Sequence, residues 1–156
     1  MQTFLPYESF TKSAQVLDWR RLGKQRVEGM QIIKAIENPK PQGWKKHPIV
    51  KMWTPYVPAL KQYTNIIITE WIGRGYNNNM EFYDIDNVEY PDWLGDERFH
   101  ASHRANLLRK DFDWYSQFKW RENSESPYVW RDNEGWYEQQ LGTKERFYLF
   151  KLWMWC

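Results

Sequence analysis

The chain has 156 residues, and 22 Lys and Arg against 20 Asp and Glu give it a net charge of +2. This length fits one domain, or one domain with an appended tail, and so small a net charge neither favours nor excludes a nucleic-acid partner. A single cysteine, Cys156, excludes an internal disulfide framework and a cysteine metal site. With neither a signal-peptide pattern nor an apolar stretch near the about 20 residues of a membrane span, we expect a cytoplasmic protein.

The charge is balanced only in sum. Residues 1–75 carry a net charge of +7 and residues 98–121 a net charge of +4, whereas residues 76–97 carry −7 and residues 122–156 carry −2. Two basic segments can meet in one surface patch, which is how a phosphate-binding face is made. The alternative is that these cations only cover solvated helix faces.

The first predicted helix runs from about Ser13 to Glu37, because Ser13 is a suitable N-cap and Asn38–Pro39 a suitable stop. Its apolar stripe, at spacings of three and four residues, consists of Leu22, Gly29, Met30, Ile33 and Ile36. Gly23 and Gly29 each weaken such a helix by about 1 kcal/mol relative to Ala. Glycine at these positions would let another helix, or a ligand, approach the backbone.

A second helical region begins at His47–Pro48, because proline suits the first turn of a helix. Pro55 and Pro58 indicate a break, or a short helix followed by a longer one. The core stripe of this region consists of Trp53, Val57, Leu60, Thr64, Ile67 and Trp71. Gly73 and Gly75 are natural ends for the helix.

The rest of the chain divides into a loop, a third helix and a tail. Tyr76–Gly95 is acidic and rich in Asn, which is typical of a loop. The third helix is predicted over Asp96–Lys110, with Phe99 among its core residues. The tail is polar and then aromatic, and Phe147–Trp155 fits either a strand or a short helix.

A basic cluster on the first helix is the strongest candidate for chemistry. Arg20, Arg21, Lys24 and Arg26 lie within seven residues, and Glu28 is the carboxylate that follows them. Guanidinium forks and an ammonium suit phosphate oxygens, and the carboxylate suits general acid/base work. The structural alternative is a solvated, charged helix face.

The three histidines admit more than one role. His100 and His103 are three residues apart on one helical face, and such a pair can ligate a metal with a carboxylate from Asp96 or Glu97. Contact with phosphate or with a flipped nucleotide is a second possibility for these residues and for His47, which follows two lysines. Histidines that serve only the packing are the third.

The 11 Trp, 10 Tyr and 8 Phe make this chain unusually aromatic. Most of these residues must form the core. Trp44, Trp114, Tyr115 and Trp120 lie beside basic residues and are candidates for stacking on unpaired bases.

These motifs resemble the pyrimidine-dimer DNA glycosylases of the phage endonuclease V type, and most of all a bacterial and phage branch of that family. The similarity spans about residues 1–130. The segments that carry it are Leu17–Glu28, Gly43–Trp53, Glu70–Tyr76, Trp93–Asp96, Phe99–Lys110 and Pro127–Trp130.

The resemblance implies a compact, all-α single domain of endonuclease V type. Residues 1–121 would form the helical glycosylase-like domain, and residues 122–156 an aromatic-rich C-terminal extension packed on it. It implies double-stranded DNA as the partner, no metal or other cofactor, and no obligate protein partner.

The resemblance also implies a glycosylase with a coupled AP-lyase step, in which an N-terminal amine attacks the sugar and forms a Schiff base. An α-amine ordinarily has a pKa of about 8, against about 10.4 for lysine, so more of it is neutral and nucleophilic near pH 7. The characterised enzymes lose their initiator Met and expose Thr. Here Gln2 follows Met1, and removal of Met before so large a side chain is not expected, so the amine is assigned to Met1.

The residues and the resemblance together give one site hypothesis and two alternatives. Met1 supplies the amine, Glu28 is the acid/base and Lys24 is the second candidate for the nucleophile. The predicted DNA contacts are Arg20, Arg21, Gln25, Arg26, Lys45, Lys46, His47, His100, His103, Arg104 and Lys110. The alternatives are a non-catalytic module that binds distorted or modified DNA, and a metal-dependent nuclease that uses His100 and His103.

Overall fold

The computed structural model describes residues 1–38, 43–139 and 149–151 of the chain. The chain divides into two compact units, Met1–Asp92 and Trp93–Cys156. Each unit is described by itself.

The described part of the first unit contains four α-helices: α1 Phe10–Val16, α2 Trp19–Glu37, α3 Pro48–Trp53 and α4 Val57–Gly73. The prediction of one helix that begins at Ser13 was wrong, because the backbone is extended at Leu17 and Asp18. The Asp18 side chain accepts a hydrogen bond from Arg21 N and so provides the N-cap of α2. The predicted end of this helix at Asn38 is confirmed.

The second helical region divides at its prolines, as the sequence indicated. A 3-10 turn, Thr54–Tyr56, separates α3 from α4. Pro48 occupies the first turn of α3, and His47 is the N-cap before it. Beyond the end of α4, Gly75 has a φ of 88°, a conformation that glycine adopts without strain.

Helices α2 and α4 pack closely at two glycines of α2. A Cβ atom on Gly29 would overlap Oγ1 of Thr64, and one on Gly23 would lie 2.9 Å from Cζ3 of Trp71. Thr64 is fully buried, and its hydroxyl donates to Leu60 O at 2.9 Å, so it has little freedom to move away. Both glycines therefore serve the approach of a second helix, which is one of the two roles that the sequence allowed.

The acidic loop Tyr76–Gly95 contains neither helix nor strand, as predicted. The Asn65 side chain fixes it to α4 by donating to Tyr83 O at 2.9 Å and accepting from Tyr83 N at 2.8 Å. Further along, the Tyr90 hydroxyl donates to Gln62 Oε1 at 2.8 Å. The loop therefore has a defined course over α4 although its own backbone forms no regular structure.

The second unit combines helices with a sheet. Its described elements are α5 Glu97–Lys110, α6 Phe112–Tyr115, β1 Val129–Asp132, β2 Gly135–Gln139 and β3 Leu149–Lys151. The strands form one sheet in the order β1-β2-β3, with both pairs antiparallel. The chain is mainly helical, and this sheet corrects the expectation of an all-α fold.

The sheet forms where two short strands flank a tight turn. Gly135 closes the turn with a φ of 124°, and Trp130 lies opposite Tyr137 in the register, with both side chains buried. Of the predicted Phe147–Trp155 element, Leu149–Lys151 is strand and the other residues lie outside the described ranges. The predicted domain boundary at residue 121 stays a prediction.

Gly29→Ala is expected to destabilise the protein by about 1–3 kcal/mol, because the added methyl group overpacks the crossing of α2 and α4. Gly73→Ala is the matched control, since no atom lies within 4 Å of its Cβ position, and its stability should stay within about 0.5 kcal/mol of the wild type. Urea unfolding followed by circular dichroism measures both. Equal midpoints for the two variants would contradict the close packing at Gly29.

Candidate active site

The first five residues form a buried segment that is held by one amide side chain. Gln25, in the middle of α2, has no exposed surface. Its Oε1 accepts hydrogen bonds from Phe4 N at 2.9 Å and from the Tyr63 hydroxyl at 2.6 Å. Its Nε2 donates to Gln2 O and to Glu28 Oε2, both at 2.8 Å. The N-terminal backbone and the Glu28 carboxylate are therefore joined through a single nitrogen. Gln2 O and Glu28 Oε2 lie at most twice 2.8 Å apart.

Two further contacts fix the same segment to α3 and α4. Trp53 Nε1 donates to Thr3 Oγ1 at 3.0 Å, and the Tyr63 hydroxyl lies 3.0 Å from Phe4 O. Thr3, Trp53 and Tyr63 are all fully buried. The packing of three helices therefore determines where the half-buried Met1 begins.

Glu28 lies at the edge between the buried and exposed faces of α2. Only 8% of the residue is exposed. Its Oε2 receives the hydrogen bond from Gln25, and its Oε1 lies 3.7 Å from Lys24 Nζ. The Lys24 side chain is 73% exposed. One carboxylate oxygen is thus fixed in place, while the other faces a cation at the surface.

This geometry corrects the assignment of Gln25 to DNA contact. Both amide hydrogens and both acceptor positions of Gln25 are used inside the protein. Its role is to position Gln2 O and Glu28. Sequence spacing placed Gln25 on the polar face of the helix, and nothing in the pattern showed that an N-terminal segment covers it.

His47 brings α3 into the same region. Its Nδ1 accepts a hydrogen bond from Ile49 N at 3.1 Å, so the ring caps α3. Burial, together with the positive charge of the amino terminus, lowers the pKa of His47 from 6.5 to about 4. The His47 imidazole is therefore uncharged at neutral pH.

Two predicted DNA contacts on α2 have internal partners instead. Arg21 Nη1 lies 3.0 Å from Asp18 Oδ1, in an ion pair at the start of the helix. The Arg26 guanidinium lies 4.3 Å from the ring centroid of Trp71 and donates to Asn78 Oδ1 at 2.8 Å. These contacts close the helix start and hold the beginning of the acidic loop, and the contact of these two half-buried side chains with DNA stays a prediction.

The exposed predicted contacts of the first unit are Arg20, Lys24 and Lys46. Arg20 and Lys24 lie one helical turn apart, on the solvent side of α2. Lys45 is half-buried, and its ammonium donates to the backbone carbonyl at the C-cap of α2. Lys24 lies beside Glu28, and the exposed Arg20, Lys24 and Lys46 are the candidate contacts for phosphate.

The second unit buries both of its histidines. His100 is 2% exposed, and its Nε2 accepts from Gly95 N at 2.9 Å, which ties the preceding turn to α5. His103 is fully buried, with its ring centroid 4.3 Å from that of Phe99. Burial lowers the pKa of His103 well below its usual value, and the neighbouring His100 and Arg104 add to the effect. This burial corrects the expectation that the pair contacts phosphate or a flipped nucleotide.

Arg104 is also used internally. It is 8% exposed, its Nε donates to Glu122 Oε1 at 2.7 Å, and its Nη2 donates to the carboxylate of Glu97. Two carboxylates therefore surround this guanidinium, and its expected contact with DNA does not fit. Lys110 is exposed in the last turn of α5, where a cation suits the helix dipole.

The described residues include no group of three or more His, Cys, Asp or Glu side chains that could hold a metal ion. The carboxylates expected to join the histidines of α5 have other partners, since Asp96 pairs with Arg98 at 2.7 Å and Glu97 pairs with Arg104. Across the same described ranges, no helix has the length and hydropathy that a membrane crossing requires.

The candidate stacking aromatics have different positions. Tyr115 is fully buried, and Trp120 stacks on it with ring centroids 5.6 Å apart, so both belong to the packing. Trp114 is 37% exposed, and the Trp44 side chain lies outside the described residues. The sequence reasoning missed Trp19, which is 53% exposed at the start of α2. Trp19 directly precedes Arg20, and this adjacency could have indicated it as a candidate for stacking.

A sequence model of the family described as pyrimidine dimer DNA glycosylase matches residues 1–84, which is more than half of the chain. The chain belongs to this family. No curated protein and no solved structure matches it.

In this pyrimidine dimer DNA glycosylase family member, the family match includes helices α1–α4 and ends within the acidic loop. It therefore contains the N-terminal segment, Gln25, Glu28 and His47. Family membership supports DNA repair glycosylase activity and DNA as the partner. The resemblance beyond residue 84, which includes α5, stays a prediction.

The stability of the protein is expected to fall as the pH drops from about 6.5 to about 4, because the unfolded state then binds a proton at residue 47 that the folded state excludes. NMR titration of His47 in the folded protein should give a midpoint of about 4. His47→Asn keeps an N-cap acceptor but removes the titration. Buried His103 contributes in the same direction, so the difference between the two stability curves isolates His47. A His47 midpoint at the ordinary value would contradict its burial at the start of α3.

Proposed function

We propose that this family member excises damaged, pyrimidine-dimer-type or modified bases from duplex DNA and then cleaves the strand as an AP lyase. The reaction uses an imine between the Met1 amine and the sugar. Beside the family match, the observation that carries this proposal is the Gln25 amide, whose Nε2 binds both Gln2 O and Glu28 Oε2. The same amide brings the start of the chain to the carboxylate. A DNA substrate also implies an intracellular location.

The first chemical step is displacement of the base. The amine lone pair forms a bond to C1′, and the C1′–N1 bond breaks with its electron pair left on the base. The amine loses a proton, which the departing base gains. The C1′–O4′ bond then breaks, the remaining N–H proton passes to O4′, and the nitrogen lone pair forms the C=N bond of an imine at C1′.

The second step is β-elimination. Loss of a proton from C2′ expels the 3′-phosphate, because the imine withdraws electrons from the adjacent carbon. Glu28 is the group that carries these protons, since its Oε2 is fixed by Gln25 and its Oε1 faces the surface. Water then hydrolyses the imine and releases the enzyme.

Two neighbours support the amine. His47 is uncharged at neutral pH, because burial and the terminal charge lower its pKa to about 4, so it adds no further cation beside the amine. Lys24 offers a positive charge to the DNA backbone near Glu28. Lys24 is also the second candidate for the nucleophile.

Borohydride reduction of a mixture with lesion-bearing or abasic duplex DNA is expected to give a covalent adduct, since it converts the imine into a stable amine. Peptide mapping should place the DNA on Met1. Lys24→Ala is the matched test of the second candidate; its side chain is 73% exposed, so the variant should fold and still be trapped. An adduct on residue 24 would overturn the assignment to Met1, and DNA binding without adduct or cleavage would favour the non-catalytic alternative.

Glu28→Gln should lower the rate of base excision by about 10²–10⁴-fold, the usual contribution of a general acid/base. The substituted amide oxygen can still accept the hydrogen bond from Gln25, so the fold and thermal midpoint should change little. Single-turnover cleavage of lesion-bearing DNA measures the effect. Wild-type rates in this variant would exclude Glu28 as the proton carrier.

Arg20→Ala, Lys24→Ala and Lys46→Ala should each reduce the slope of log affinity against log salt by about 0.9, because each exposed cation neutralises one phosphate. Lys61→Ala is the control, since it removes the same charge from the first unit but its ammonium lies 2.8 Å from Glu37 Oε1. Its slope should equal that of the wild type. Fluorescence anisotropy with duplex DNA at several salt concentrations measures these slopes, and four equal slopes would contradict the proposed surface.

A further inference from the structure

The Gln2 side chain contains a buried donor that the fold does not use. Gln2 is 6% exposed, and its Oε1 accepts a hydrogen bond from Thr3 N at 3.0 Å. Its Nε2 is buried and has no hydrogen-bond partner among the described residues. A buried donor left unpaired costs about 1–3 kcal/mol, and native structures pair the large majority of such groups. This donor is therefore available to an acceptor that a ligand brings.

The orientation of this amide is determined by its neighbour. If oxygen and nitrogen exchanged places, Nε2 would face Thr3 N–H, and two donors would meet. The nitrogen is therefore the end directed away from Thr3. The backbone of the same residue is bound by Gln25, which also binds Glu28. A fixed donor thus belongs to the residue that follows the amine and is tied to the carboxylate.

We propose that Gln2 Nε2 donates a hydrogen bond to the O2 carbonyl of the pyrimidine that is being excised; this inference rests on the proposed function. When the C1′–N1 bond breaks, the electron pair left on the base spreads onto its carbonyl oxygens. O2 is bonded to C2, the carbon next to N1. It is therefore the carbonyl oxygen of the base closest to the C1′ atom that the amine attacks. Adjacent residues of the protein therefore contact adjacent parts of the nucleotide.

The donor acts on charge that develops during the reaction. A hydrogen-bond donor placed where negative charge forms contributes about 10²–10³-fold in rate. Nε2 is covered in the free protein, so an entering nucleotide has to displace neighbouring atoms before the bond forms. The donor is paired once the carbonyl oxygen binds, and its hydrogen bond strengthens as negative charge develops on that oxygen, which favours the transition state over the bound substrate.

Gln2→Glu and Gln2→Met test the inference with two DNA substrates. The glutamate keeps an acceptor for Thr3 N–H and removes the donor, whereas methionine removes both groups at similar volume. Both side chains are as large as glutamine, so Met1 should be retained, and the intact mass checks this. On lesion-bearing duplex DNA, single-turnover base excision should fall by about 10²-fold in both variants. On base-free abasic DNA, strand cleavage should stay within about two-fold of the wild type, because no base leaves.

Gln31→Glu is the matched control, since it makes the same chemical change on the exposed side of α2 and should leave both rates unchanged. Equal losses on both substrates would show that residue 2 only supports the fold and would overturn the inference. Unchanged base excision in Gln2→Met would also overturn it. Failure of the wild-type protein on abasic DNA is a different result, since it would overturn the proposed lyase function, and this inference with it.

Discussion

The buried amide of Gln25 determines where the start of the chain lies, and the rest of the site depends on it. A fully buried amide is costly unless every one of its groups is paired. The protein pairs them with Phe4 N, Gln2 O, Tyr63 and Glu28. An apolar residue at this position would leave all four partners without their bond. The requirement to satisfy one amide therefore brings together a backbone terminus and a carboxylate that are far apart in the sequence.

The packing of α2 against α4 is what makes this arrangement possible. Gly29 permits Thr64 to approach the backbone of α2, and Thr64 is the residue that follows Tyr63. The same close approach therefore brings the Tyr63 hydroxyl within 2.6 Å of Gln25 Oε1. In this unit, the packing of α2 against α4 therefore also determines the geometry of the candidate site. The low helix propensity of the glycines is offset by contacts that a larger residue would prevent.

The periodicity of apolar residues predicted much of the helical structure. It did not show which of several residues suited to capping a helix would do so. Ser13 and Asp18 are equally suitable caps by type, but Ser13 lies within α1 with its hydroxyl bound to the Tyr7 backbone, and Asp18 caps α2. The strands β1 and β2 escaped prediction because they are short and the turn signal, Gly135, lies in a generally polar region. Composition and spacing singled out Glu28 and the exposed cations, and their roles stay proposals. The internal roles of Arg104 and His103 did not, because a sequence shows charged and polar residues without showing which partners or burial they will find.

A nucleophile on the backbone has a consequence that a side-chain nucleophile lacks. On the proposed mechanism the position of the amine depends on every bond that holds the N-terminal segment, and its identity depends on whether Met1 is retained. Both properties involve residue 2. A glutamine there is too large for removal of Met1 to be expected, its carbonyl is bound by Gln25, and its side-chain nitrogen is kept unpaired in the interior. A smaller residue would release a different amine and would also loosen the contact with α2. On the proposed mechanism, residue 2 therefore affects both the processing of the chain and the geometry of the reaction.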